Sequence, residues 1–158
     1  MKVQVARVED RPFVTEVVIR EFGATRISSR GVIFDVLTLP TLIASVEDER
    51  LGLAIYRFER FECELVVLVA IDEGRGVGSM LIDHVRERAS ERGCERLFLT
   101  TSNDNTDALR FYQRRGFRLC RLYPGSLENA RSQIPTMPEI GHHSIPIRDD
   151  LELEIRLV

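Results

Sequence analysis

The sequence predicts an α/β domain, because two hydrophobic periods alternate in blocks along the 158 residues. The clearest block is an almost continuously apolar strand followed by a glycine-rich turn, a helical repeat and a second strand. That order is typical of a right-handed βαβ unit. The length is that of one domain of about 100 to 200 residues, so we expect residues 1–158 to form a single domain whose core needs no disulfides or metal.

The N-terminal part is expected to begin with a strand at residues 3–5, where apolar and polar side chains alternate. Asp10 is then placed to cap a helix that carries Pro12 in its first turn, and Gly23 is placed to end it. Residues 28–37 are a weaker helical candidate.

The middle of the chain is rich in predicted strands. Residues 42–46 and 51–58 flank a short polar stretch, which predicts an antiparallel hairpin. Residues 63–69 are nearly all apolar, as in a central strand covered on both faces. A helix up to Gly93 follows, and a right-handed crossover would place the next strand, residues 96–101, parallel to the first. The helical repeat consists of Val77, Leu81, Val85 and Ala89.

The C-terminal part predicts a short helix at residues 105–115 with Asn105 as its N-cap. A strand is expected at residues 117–123, and strict alternation of apolar and charged side chains predicts the last strand at residues 151–157. The long loop between them, residues 124–146, has a length that is more often functional than idle.

The charge balance argues against a nucleic-acid partner. Lys and Arg number 22 against 25 Asp and Glu, the net charge is -3, and no basic run is free of interleaved acids. The longest apolar stretch, residues 65–71, is far shorter than the roughly 20 residues that span a bilayer, and the N-terminus lacks the pattern of a signal peptide. We therefore expect a cytoplasmic protein without a membrane partner.

The cysteines and histidines give no sign of a disulfide framework or a metal site. An odd number of cysteines without CxxC spacing predicts reduced thiols, and a buried structural role for Cys63 is favoured over a nucleophilic one. His142 and His143 are adjacent on an irregular segment, and such pairs rarely converge on one ion. We expect no metal.

A glycine-rich turn, DEGRGVGS at residues 72–79, joins the central strand to the helix. Alternate glycines let backbone N–H groups crowd around an oxyanion, and a helix start adds about half a positive charge. The turn has neither the Lys-Ser/Thr ending of a P-loop nor dinucleotide spacing, so alone it is equally consistent with tight-turn glycines. A second segment, NTDALRFYQRRGF at residues 105–117, changes this balance.

Together the two segments resemble the RxxGxG and NxxAxxFYxxxGF signatures of the acetyl-CoA-binding core of the GNAT acetyltransferase superfamily. The pair at this spacing is much more specific than either half, and the resemblance extends from the first strand to a last strand ending at Val158. It implies a mixed, splayed central sheet of about seven strands flanked by about four helices. Strands 63–69 and 96–101 would separate at their carboxyl ends to admit the pantetheine arm of acetyl-CoA.

The resemblance also implies which groups bind the cosubstrate. The pantetheine would bond to backbone groups of Leu68, Val69 and Ala70, with Asn105 fixing it from the other side. One position departs from the family pattern, because Glu73 replaces the usual Arg or Gln and its carboxylate would repel a diphosphate; Arg75 is the replacement cation. The diphosphate would be held by Gly74, Arg75, Gly76, Val77, Gly78 and Ser79.

Two side chains are the expected catalytic residues. Tyr112 matches the family tyrosine that meets the thioester sulfur; with a reference pKa of about 10 it would donate a hydrogen bond to the departing thiolate. The alternative is a core aromatic residue. Glu64 is the candidate base for the acceptor amine, and Glu62, on the same strand face, is its rival. For both glutamates the alternative is a solvated strand-end carboxylate.

The long loop is expected to wall the acceptor site, where Arg131 or Arg148 would bind a carboxylate of the substrate. Surface salt bridges are the alternative for these arginines. The sequence does not identify the acceptor, which is a small-molecule or protein amine. The last strand is free to pair with a second subunit, which would give a homodimer.

We therefore expect an acetyl-CoA-dependent N-acetyltransferase that works by direct attack of a primary amine in a ternary complex. The first alternative is a non-catalytic CoA-sensing or interaction module, for which Glu73 is the sequence support. The second is a protein that binds nucleotide phosphates.

Overall fold

A computed structural model describes residues 1–157, and it contains a seven-stranded mixed sheet and a separate two-stranded hairpin. Val158, the expected end of the last strand, lies outside the described residues. The strands are β1 (Lys2–Val5), β2 (Arg26–Ser29), β3 (Val32–Asp35), β4 (Thr41–Val46), β5 (Glu49–Glu59), β6 (Glu62–Ala70), β7 (Arg96–Ser102), β8 (Arg118–Tyr123) and β9 (Asp150–Arg156). The helices are α1 (Arg11–Phe22), α2 (Val77–Glu91), α3 (Thr106–Arg114) and α4 (Ser126–Ala130).

The large sheet has the strand order β1-β4-β5-β6-β7-β9-β8, so β6 lies at its centre as predicted. β6 pairs with β5 antiparallel and with β7 parallel, which confirms the expected crossover. One hydrophobic core packs beneath α2 around Leu81, Val85 and Leu153. A second core packs on the opposite face beneath α1, around Val17 and Val67. The predicted α/β class and splayed mixed sheet are therefore confirmed.

The first helix begins and ends where the sequence predicts. It starts directly after Asp10 and ends at Gly23, which has a left-handed φ of 75°. The Asp10 side chain does not cap the helix, however. Its carboxylate accepts hydrogen bonds from the Arg7 N–H at 2.8 Å and from the Arg50 guanidinium at 2.7 Å, so it stabilises the approach to the helix instead.

The helix expected at residues 28–37 is wrong, because this segment lies in the β2–β3 hairpin. Ile27 pairs with Phe34, and the chain reverses through Arg30 and Gly31, whose φ angles are 53° and 79°. Two consecutive positive φ angles are those of a tight hairpin turn, which Arg-Gly signals more weakly than Asn-Gly does. The β-branched residues beside the turn favour strands over a helix.

The sheet opens between β6 and β7. Their parallel pairing ends at Glu64, opposite Phe98, although the strands continue to Ala70 and Ser102. The backbone groups of β6 that face β7 beyond Glu64 therefore have no strand partner. Buried or cleft-lining backbone groups need such partners, so this edge is prepared to receive another extended chain or ligand.

A β-bulge lies beside this opening. Ile55 pairs with Val67 and Tyr56 with Leu65, which leaves Val66 as an extra residue in β6. Bulges bend a strand and re-aim its groups, and they are frequent next to active sites. The bulge therefore turns the second half of β6 relative to its first half.

The long loop of residues 124–146 is more ordered than predicted. It contains α4 and a single turn of 3-10 helix at His142–Ser144. Asp104, 1% exposed, accepts a hydrogen bond from the His142 N–H at 2.9 Å, and the Asn103 side chain donates to the Pro146 carbonyl at 2.9 Å. These bonds tie the loop to the turn between β7 and α3. None of the helices within residues 1–157 has the length and apolar character needed to cross a membrane.

Candidate active site

The glycine turn presents free amides at the start of α2. Gly74 and Gly76 have φ angles of 85° and 74°, which side-chain-bearing residues rarely adopt. The first intrahelical bond runs from the Met80 N–H to the Gly76 carbonyl at 3.1 Å, so the amides of residues 77–79 precede the helical hydrogen-bond ladder. Together with the helix dipole, these amides form a cradle that suits an anion. We call residues 74–79 the glycine cradle.

Helix α3 packs directly against the glycine cradle and brings the two sequence segments together. A Cβ atom at Gly78 would lie 3.0 Å from the Phe111 Cζ, so glycine permits this close approach. Asn105 caps α3 as predicted, because its Oδ1 accepts a hydrogen bond from the Ala108 N–H at 3.1 Å. The amide nitrogen of the Asn105 side chain remains available to a ligand, together with the second lone pair of Oδ1.

Arg75, the expected replacement cation at the cradle, is less available to an anion than the sequence predicts. Glu73 is exposed, as is Asp72. The Arg75 guanidinium lies 3.6 Å from the Asp72 carboxylate, and both side chains are largely in solvent. Arg75 is therefore shared with a neighbouring carboxylate and is only partly available to an anion.

Tyr112 lies on α3 between two aromatic rings. The ring of Phe111 is 5.1 Å away and that of Phe117 is 5.5 Å away, both edge to face. Burial raises the pKa of the Tyr112 hydroxyl well above its usual value, so the hydroxyl stays protonated at neutral pH and is able to donate a hydrogen bond.

Glu64 is 1% exposed and lies where the β6–β7 pairing ends, so it is not a solvated strand-end carboxylate. Its Oε1 accepts a hydrogen bond from the Arg57 Nε at 2.7 Å, and its Oε2 accepts one from the Ser29 hydroxyl at 2.5 Å. The Arg30 guanidinium is 3.9 Å away. Glu62, the rival base, is 37% exposed and forms an ion pair with Arg96 at 2.8 Å.

Two carboxylates on β9 are buried, which the sequence did not predict. Asp150 is 3% exposed and accepts a hydrogen bond from the Ser126 hydroxyl at 3.3 Å; its burial raises the pKa of the carboxyl to about 6. Glu152 is 4% exposed. Although burial opposes ionisation of Glu152, hydrogen bonds from Arg96 and Tyr123 lower its pKa.

The sequence did not predict that these carboxylates are buried, because the segment that covers them was expected to be a helix and forms the β2–β3 hairpin instead. Charged side chains that alternate along the last strand predict a solvent-facing row. In the structure Ser29, at the end of β2, contacts both Glu64 and Thr100 on this face of the sheet. Thr100 pairs with Glu152 across β7 and β9, so the hairpin covers the row.

The two loop arginines contact groups of their own segment of the chain. The Arg131 guanidinium donates to the Ile147 carbonyl at 2.8 Å and to the Pro138 carbonyl at 3.3 Å, so it stabilises the loop itself. Arg148 is 60% exposed and lies 3.5 Å from Glu128, which is a surface salt bridge. The proposed roles of both in substrate binding remain predictions.

Cys63 belongs to the hydrophobic core, and His142 and His143 make separate contacts. Cys63 is fully buried, and burial raises the pKa of its thiol to about 12, which suits a structural rather than a nucleophilic residue. His143 Nε2 is 3.2 Å from the Asp107 carboxylate, whereas His142 contacts Asp104 only through its backbone N–H. Within residues 1–157 no cluster of three His, Cys, Asp or Glu side chains is arranged to hold a metal ion.

We predict that Asp150→Asn stabilises the protein more at pH 7.5 than at pH 4.5. Because the pKa of Asp150 is raised on folding, the folded state holds a proton between pH 4 and 6 that the unfolded state has released. The cost of burying the charge therefore grows through this window, and removing it should stabilise the protein by about 3 kcal/mol above pH 6. Urea unfolding measures the difference, with the exposed Asp83→Asn as control. A gain that does not change with pH would contradict this assignment.

Comparisons with known proteins agree with this geometry. The Acetyltransferase (GNAT) family pattern matches residues 19–117. The protein YxbD of Bacillus subtilis (strain 168) is 40% identical over 107 residues, which are 68% of this chain and 67% of that protein. The streptothricin acetyltransferase of Streptomyces lavendulae is 34% identical over 64 residues, 40% of this chain and 34% of its own length. The crystal structure of a Bacillus subtilis acetyltransferase in complex with CoA superposes with a TM-score of 0.71 at 17% identity, covering 99% of both chains. The chain therefore belongs to the GNAT family of acetyltransferases and is an acyltransferase.

Proposed function

We propose that this enzyme transfers the acetyl group of acetyl-CoA to a primary amine by direct attack in a ternary complex. The observation that carries the proposal is the glycine cradle beside the unpaired edge of β6. The CoA complex of the Bacillus subtilis acetyltransferase of similar fold supports the choice of cosubstrate.

The cosubstrate would bind in an extended form across the opening between β6 and β7. Amides of the glycine cradle would hold the diphosphate, since helix starts bind phosphate groups. The pantetheine would pair like a strand with backbone groups of Leu68, Val69 and Ala70, which lie beyond the last β6–β7 pair. Asn105 would bond to the arm from the α3 side. This path directs the thioester towards the end of the paired region, next to Glu64.

The transfer step needs one proton acceptor and one hydrogen-bond donor. An amine with a pKa near 10.4 is mostly protonated at neutral pH, so Glu64 would take its proton before or during attack. The amine nitrogen forms a bond to the thioester carbon, and the carbon–sulfur bond breaks. A backbone N–H near Leu68 or Val69 would polarise the carbonyl, and the Tyr112 hydroxyl would donate to the departing sulfur.

The acceptor face would carry one carboxylate that is not paired with an arginine. Glu64 is bonded to Arg57 and Glu152 to Arg96, whereas the buried Asp150 forms no salt bridge among residues 1–157. Asp150 is therefore the group there that would attract a protonated amine. The relative named streptothricin acetyltransferase is consistent with a small-molecule acceptor, and a protein amine is the other class of acceptor.

A CoA-binding module without turnover is the second candidate, and the exposed carboxylate of Glu73 at the cradle favours it. The two functions differ in thiol release. With acetyl-CoA and a panel of primary amines, we expect the wild-type protein to release CoA thiol with at least one amine, as measured with a thiol reagent.

In the same assay Tyr112→Phe should lower kcat by about 100-fold with little change in the KM for acetyl-CoA, because it loses only the hydrogen bond to the sulfur. Tyr56→Phe, on the buried α2 side of β5, is the matched control and should keep full activity. CoA binding without thiol release for every amine would favour the module.

A second prediction separates the two glutamates of β6. Glu64→Gln keeps the size of the side chain but cannot accept a proton, so kcat/KM for the amine should fall by about 100-fold at pH 7. Glu62→Gln removes a partly exposed ion pair with Arg96 but no proton acceptor of the reaction, so it should change kcat/KM by less than about threefold. Steady-state kinetics with the best amine measures both. A larger loss in Glu62→Gln than in Glu64→Gln would show that the base is assigned wrongly.

A further inference from the structure

The turn that forms the glycine cradle has no basic side chain that is fully available to bind an anion. Glu73 replaces the basic or amide residue of the family signature, and Arg75 is paired with Asp72 at 3.6 Å. A diphosphate carries negative charge that backbone amides offset only in part, because a helix start is equivalent to about half a positive charge. A cation from outside the turn would complete the charge balance.

Arg115 lies at the end of α3, directly beside the cradle. Its Nε donates to the Ser79 hydroxyl at 2.8 Å, and one terminal nitrogen donates to the Phe111 carbonyl at 2.9 Å. The guanidinium also lies over the Phe111 ring, 3.4 Å from its centroid. Three contacts therefore fix its orientation, and one of them is with a residue of the cradle.

The positive charge of the Arg115 guanidinium is not neutralised by a carboxylate among the described residues. No carboxylate among residues 1–157 forms a salt bridge with Arg115, in contrast to Arg75. Arginine stays charged at any accessible pH, and its planar group offers several N–H donors in the fork geometry that phosphate oxygens accept. The stacking on Phe111 holds this fork in place before a ligand arrives, which reduces the entropy lost on binding.

We propose that Arg115 is a diphosphate-binding residue for CoA and supplies from α3 the positive charge that the turn lost at Glu73. The inference rests on the proposed function, since it assumes CoA at the glycine cradle. The same side chain links the two signature segments, so α3 would contribute Tyr112 at the sulfur, and the residue directly after it would contribute Arg115 at the diphosphate. The two residues are three positions apart, close to one helical turn, which would place both groups on the cosubstrate side.

The test compares dissociation constants of CoA for the wild-type protein, Arg115→Gln and Arg114→Gln by isothermal titration calorimetry. Arg114 is the neighbouring exposed arginine without a contact to the cradle and serves as the matched control. Loss of a charge-assisted hydrogen bond should weaken CoA binding by about 10- to 100-fold in Arg115→Gln. Arg114→Gln should bind CoA within about twofold of wild type, because a distant exposed charge contributes little.

Two further ligands identify the group that Arg115 contacts. Dephospho-CoA lacks the 3′-phosphate but keeps the diphosphate, so Arg115→Gln should weaken it by the same factor as CoA. Pantetheine lacks the diphosphate and the 3′-phosphate, and its binding, followed by NMR titration, should not change. A loss confined to CoA would assign Arg115 to the 3′-phosphate and overturn the proposal.

A structural role for Arg115 would give a different result. If it only holds α3 against α2, Arg115→Gln should weaken pantetheine as much as CoA, and this would overturn the proposal. Arg115→Lys keeps the charge without the fork, so it should bind CoA more tightly than Arg115→Gln if the positive charge acts on the ligand, and equally weakly if it does not. Wild-type protein that binds no CoA would instead refute the proposed function itself. Equal CoA binding by wild type and Arg115→Gln would refute only the role of Arg115.

Discussion

The end of strand pairing between β6 and β7 is the constraint on which the active site depends. Beyond Glu64 the β6 backbone has no strand partner on this side, although β5 still pairs with it on the other. An unpaired backbone edge in the middle of a sheet is costly unless water or a ligand satisfies it. The proposed cosubstrate would meet this need, and its acyl group would then lie where the strands part.

Helix packing determines what surrounds that edge. The close approach of Gly78 to Phe111 and the bond between Arg115 and Ser79 join α3 to the start of α2. The glycine cradle and the helix that carries Tyr112 are thereby held together. The opposite face of the sheet carries Glu64. The β2–β3 hairpin covers this face and contributes the polar side chain of Ser29. In the proposed complex the sheet would separate the cosubstrate from the acceptor.

The βαβ unit could be predicted from the sequence because each of its signals is local. An apolar strand, a glycine turn and a four-residue helical repeat specify β6, the cradle and α2 without reference to the rest of the chain. The N-cap role of Asn105 is equally local, since the side chain bonds to the third amide after it.

The acceptor face could not be predicted in the same way. Its buried carboxylates are covered by residues distant in sequence, such as Ser29, which lies 35 positions before Glu64. The Arg30-Gly31 turn is a weak hairpin signal, and a wrong helix there leaves Asp150 uncovered. Arg131 likewise looks free in the sequence, but its guanidinium bonds to carbonyls of its own loop. Burial by distant elements is a tertiary property that period and spacing do not encode.

A crystal structure of the protein with CoA tests the account most directly. We expect the diphosphate on the amides of the glycine cradle and the pantetheine between β6 and β7, hydrogen-bonded to the backbone of residues 68–70. The sulfur should lie within hydrogen-bond distance of the Tyr112 hydroxyl. CoA bound elsewhere, or a cleft in which β6 and β7 have closed and pair along their full length, would contradict the account.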